Sequence, residues 1–108
     1  MVKQGDIIRI NFSPTVGHEQ GGYRPAVVVS NDFAISKTNV VYVSPISNNV
    51  RQFPLHVALD NRTKTTGEIL CEQVKAVDLN VRQYTFVEHL PNDILDKVLT
   101  RIISCFDI

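Results

Sequence analysis

Residues 12–30 read FSPTVGHEQGGYRPAVVVS, a glycine-rich stretch that carries His18, Glu19, Gln20 and Arg24 and runs straight into an apolar segment. A guanidinium can grip a phosphate through two parallel hydrogen bonds. Arg24 therefore suits phosphate chemistry, and it suits equally a structural ion pair with Glu19. Ser47 and Asn48 close a later apolar run, where a polar pair also serves simply as turn material. Glu72 and Gln73 interrupt the run EILCEQVKAV as neighbours. On a strand they would face opposite sides, so one of them should point toward the interior or a cleft. A glutamine satisfying buried backbone groups is the alternative there.

Other chemistries fit the residue spacings poorly. His18, His56 and His89 are far apart and lack a helical i, i+4 partner, whereas metal ligands usually recur at short spacings, so we read three unrelated surface histidines. GHEQGG has no phosphate-loop lysine, and a strand rather than a helix follows it. No serine sits on a G-x-S-x-G elbow. The expectation is a polar set that works without a metal or a cofactor.

The elements that must position this set are mostly strands. The patterning predicts strands over 5–12, 24–30, 40–47 (broken or bulged at Pro45), 53–60, 68–77 and 84–89, with a short helical turn within 31–39. Pro25 fits only the first residues of its strand, because it cannot donate to a ladder. The loop 13–23 is long for a connection in a small domain, which favours a working loop. Ile94, Leu95, Val98, Leu99, Ile102, Ile103 and Phe106 form one helical stripe, and Pro91 and Asp93 suit its first turn. About six strands and one amphipathic helix predict a small barrel that hides its edges.

The 108 residues fit one domain spanning 1–108. Lys and Arg number 11, Asp and Glu also 11, so the formal charge is zero. That argues against gripping a long nucleic acid through many phosphates, though not against a cleft that reads a few nucleotides. Cys71 and Cys105 sit beside apolar residues and read as two buried free thiols rather than a disulfide. The N-terminus lacks a signal-peptide pattern and no apolar run reaches membrane length, which predicts a cytosolic protein with no membrane association.

The blocks GDIIRINFSPTVGHEQGGYRPAVVVS, VSPIS and GEILCEQVKAVD resemble the MazF/PemK toxin endoribonucleases of bacterial type II toxin–antitoxin pairs. The likeness runs nearly end to end, and GHEQ and TTG lean toward the PemK branch. It implies a mainly β, SH3-like barrel of the CcdB/PemK type with a C-terminal helix, working as a homodimer in the bacterial cytoplasm. It implies metal-independent cleavage of single-stranded mRNA by 2′-hydroxyl attack. It also implies a cognate antitoxin whose acidic, disordered C-terminal tail covers the RNA groove. Residue by residue, Arg24 matches the catalytic arginine, and Ser47 falls where many members carry a catalytic threonine. His18 matches a histidine linked to phosphate stabilisation, and Glu72 matches an aspartate proposed as general base. Glu19, Gln20, Asn48, Gln73 and Lys75 fall among the substrate-contacting positions. One departure stands out: Leu70 replaces the PemK-branch arginine proposed as general acid, leaving that role to Arg24. A gyrase-binding, non-nuclease toxin of the CcdB type is the competing expectation, since the same barrel supports it.

Overall fold

The computed structural model describes residues 1–12 and 22–106. Seven strands and two helices follow in the order β1 (Asp6–Asn11), β2 (Tyr23–Val28), α1 (Asp32–Lys37), β3 (Val40–Ser47), β4 (His56–Ala58), β5 (Glu68–Leu70), β6 (Lys75–Asp78), β7 (Tyr84–His89) and α2 (Asn92–Ser104). A 3-10 turn, Cys71–Gln73, separates β5 from β6. All pairings are antiparallel, and the sheet runs β4-β5-β3-β2-β1-β7 with β6 also on β3.

Strand alternation sorts the side chains into two cores, one on each face of β1, β2 and β3. Ile7, Val27, Ile46 and Ile69 face α2, whose Ile94, Leu95 and Val98 cover them. Ile8, Ile10, Ala26, Val28 and Val43 face the other way and pack with Ile35 of α1. Each of the larger buried aliphatic side chains contributes about 1.5–3 kcal/mol by leaving water. Helix α1 starts where the Asn31 side chain accepts from the Ala34 N–H at 2.8 Å. Pro91 lies just before α2 rather than in its first turn, and its carbonyl accepts from the N–H groups of Ile94 and Leu95.

Strand β3 organises the rest. Its Val43–Pro45 stretch pairs with β2, while its other edge pairs with β6 at Val40–Val43 and with β5 at Ile46–Ser47. Pro45 therefore does not break the strand; it sits where the partner on that far edge changes. This change splits the expected strand 68–77. Stepping back from Ile46 to Val43 on β3 moves the partner from Ile69 to Lys75, three residues more than a continuous ladder allows. The surplus is the 3-10 turn. The expected strand 53–60 shrinks to His56–Ala58, because Pro54 and Leu55 form a turn before it and Asp60 accepts from Arg62 beyond it. Among the described residues the pairings leave β4 and β7 as separate ends, so the sheet does not close into a ring there. Both cysteines are free, but only Cys71 is buried; Cys105 is exposed.

Candidate functional site

Arg24 is the second residue of β2 and is half-buried. Its register partner on β1 is Ile10, on the face that carries Ile8 and Ala26. Ala26 pairs with Pro45 on β3. The ladder ends there, but alternation two residues on keeps Arg24 on the face of Ala26 and Ser47 on that of Pro45, so the two share one face of the sheet. Ser47 is 4% exposed, and its Oγ accepts from the Asn49 N–H at 3.1 Å. A buried hydroxyl fixed by a turn N–H keeps its own proton to donate.

Gly67 lets β5 come this close to Ser47. Its φ is +118°, and a Cβ there would lie 2.6 Å from the Ser47 carbonyl oxygen and 3.1 Å from Asn48 Oδ1. Asn48 is exposed and lines a cavity of about 340 Å³ with Arg9, Pro25, Lys64, Thr65 and Thr66. The loop bearing Lys64 and Thr65 is pinned by Glu88, whose carboxylate accepts from both backbone N–H groups and from Thr65 Oγ1. Desolvation alone would raise the Glu88 pKa; those hydrogen bonds outweigh it and hold it below the usual glutamate range.

Glu72 and Gln73 stand on the 3-10 turn, not on a strand, so the expected alternation does not apply to them. Glu72 Oε2 lies 2.9 Å from His56 Nε2, and the other ring nitrogen, Nδ1, is 3.0 Å from Glu68 Oε1. The His56 side chain is 7% exposed. His56 is thus no isolated surface histidine. Burial alone would lower its pKa, but hydrogen bonds to Glu72 and Glu68, the Glu72 charge and the Arg51 carbonyl outweigh that and raise it above 6.5. The spacing of residues 56, 68 and 72 offers no local signal, since three separate elements bring them together. The two carboxylates sit on opposite nitrogens of the ring, and among the described residues no group of His, Cys, Asp or Glu is arranged to hold a metal.

Gln73 carries a buried Oε1 that has no hydrogen-bond partner among the described residues, so these do not make it a satisfied core amide. Lys75 begins β6, and its ammonium lies 5.2 Å from the centroid of the Phe12 ring. His18, Glu19 and Gln20 lie outside the described residues. Cys71, next to Glu72, is buried, and its thiol is pushed up to about 11, so it is no nucleophile at neutral pH.

Comparison with known proteins identifies the family and the fold. Residues 3–106 match the family described as PemK-like, MazF-like toxin of type II toxin–antitoxin system. The Bacillus subtilis endoribonuclease EndoA is 33% identical over 91% of this chain and 88% of its own length. The Escherichia coli endoribonuclease PemK is 31% identical over 94% and 79%. The crystal structure of MazF from Deinococcus radiodurans superposes with a TM-score of 0.89 at 28% identity, covering 96% of this chain and 94% of that one. A MazE–MazF complex from the same organism superposes at 0.83 with the same identity and coverage. The strand order, the α2 cover and the end-to-end match converge: this chain belongs to the PemK-like, MazF-like toxins of type II toxin–antitoxin systems.

Proposed function

We propose that this chain is a metal-independent, sequence-specific endoribonuclease that cuts single-stranded mRNA and so stops translation and growth. The observation that carries the reading is the shared face of Arg24 and Ser47 at the ends of β2 and β3. The 2′-hydroxyl attacks the adjacent phosphorus, its proton passes to Glu72, and the P–O5′ bond breaks. The products are a 2′,3′-cyclic phosphate and a 5′-hydroxyl. Arg24 stabilises the charge gathering on the phosphorane and returns a proton to O5′, since Leu70 offers none. Ser47 donates to a non-bridging oxygen. His18 supports the same charge and Glu19 orients Arg24, while Gln20, Asn48, Gln73 and Lys75 contact nucleotides. Unstacked bases of a short single strand supply enough edges for sequence reading without a strongly basic surface.

A homodimer and a cognate antitoxin complete the proposal, placed in the bacterial cytoplasm. In support of the dimer, the α2 stripe is buried only in its first half. Ile103 and Phe106 are 67% and 63% exposed, and with Tyr42, Leu99 and Ile102 they line an apolar groove of about 490 Å³. Solved complexes with MazE support an antitoxin partner; its acidic, disordered tail would compete for the cationic groups at the site. Among the described residues no helix is long and apolar enough to cross a membrane.

The test is incubation of purified protein with a defined single-stranded RNA in EDTA, followed by mapping of the new ends. Cleavage leaving 5′-hydroxyl and cyclic-phosphate ends is expected. Intact RNA together with inhibited DNA gyrase would overturn the nuclease reading in favour of a gyrase-binding toxin.

A further inference from the structure

The hydrogen bonds around His56 leave little freedom in where its protons lie. Nδ1 faces two acceptors, Glu68 Oε1 at 3.0 Å and the Arg51 carbonyl at 3.2 Å, so it must carry a hydrogen. Nε2 faces a third acceptor, Glu72 Oε2, at 2.9 Å. When the ring is doubly protonated, Nε2 donates to that carboxylate and the pair is an imidazolium gripping a carboxylate. Glu72 is 30% exposed at its side chain, and among the described residues its second oxygen, Oε1, has no hydrogen-bond partner. One oxygen is held by the ring.

We propose that His56 is a positioning residue for RNA cleavage: its doubly protonated ring holds Glu72 by Oε2 and so aims Oε1 at the 2′-hydroxyl proton. This role rests on Glu72 serving as the base, as proposed above. In the step, the O2′–H bond breaks and its proton moves to Glu72 Oε1. The freed electron pair forms the O2′–P bond. The P–O5′ bond breaks toward O5′, which takes a proton from Arg24. Water then restores both groups. Loss of the Nε2 proton would turn a lone pair toward the Glu72 carboxylate and repel it. The groups around the ring are Glu68 on β5, Glu72 and the un-ionised Cys71 on the 3-10 turn, and the Arg51 carbonyl and Phe53 ring ahead of β4. Arg101 of α2 donates to the nearby Pro54 carbonyl. None of these supplies a second proton to Nε2, so the ring itself must titrate.

The experiment compares wild type, His56→Gln and His56→Ala as pH profiles of kcat on one defined RNA. Thermal melts run alongside, and the His56 ring is titrated by NMR in wild type and Glu72→Gln. Wild type should lose kcat on the alkaline side with a midpoint above 6.5. Glutamine can donate to Glu72 but cannot titrate, so His56→Gln should stay active and lose that alkaline limb. His56→Ala should lose about tenfold or more in kcat with KM little changed. The NMR midpoint should fall in Glu72→Gln. An alkaline limb unchanged in His56→Gln, or an NMR midpoint unmoved by Glu72→Gln, overturns the positioning role while leaving the nuclease reading intact. A wild type that cuts no RNA overturns both.

Discussion

The roles proposed for Arg24 and His56 differ in kind, and their substitutions should separate. Arg24 is half-buried at a strand end, so truncation removes charge stabilisation without opening the core. Arg24→Ala should cut kcat by about 10²–10³-fold in protein that still unfolds cooperatively, checked by single-turnover cleavage below the melting temperature and by thermal unfolding. The His56–Glu72 pair also carries stability. Because the folded pKa of His56 is raised, its contribution is complete below the unfolded value of 6.5 and is lost as pH rises through the folded value. Glu72→Gln should therefore destabilise by about 1 kcal/mol at pH below 6.5 and by progressively less at higher pH, read from urea unfolding across pH. Of the candidate residues, Arg24 was legible in its position, at the opening of an apolar strand. His56 was not, because its partners come from elements whose adjacency depends on the sheet order.

At the scale of elements, periodicity located both ends of the chain well. The strands at 6–11 and 84–89 and the helical stripe of α2 follow from alternation and from 3.6-residue repeats. The middle resisted. EILCEQVKAV has the composition of one strand, yet β3 offers β5 and β6 two ladders out of step by three residues, and local sequence does not encode that offset. The mainly β fold with its C-terminal helix was legible; closure of the sheet was not, since it depends on which ends meet and not on how many strands exist. Gly67 shows how tightly the middle is built. Gly67→Ala combines a φ of +118° with an approach of 2.6 Å to the Ser47 carbonyl. It should cost about 1–3 kcal/mol in urea unfolding and should lower cleavage as well, since relief requires Ser47 to move.

For the whole molecule, charge and apolar surface assign different tasks. Zero formal charge leaves RNA binding to a few placed cations, while the exposed end of the α2 stripe offers a face for self-association. Ile103→Glu, at a position 67% exposed, should leave the monomer folded and shift the protein to monomer in sedimentation experiments, with an unchanged circular-dichroism spectrum. A dimer that persists would move the interface elsewhere. The order of synthesis adds a consequence. Helix α2 leaves the ribosome after every strand it covers, and Ile7, Val27 and Ile69 lack their lid until Ile94, Leu95 and Val98 arrive. A nascent chain therefore carries one apolar face of its sheet uncovered until α2 has emerged, and a chaperone that masks that face would act in this interval.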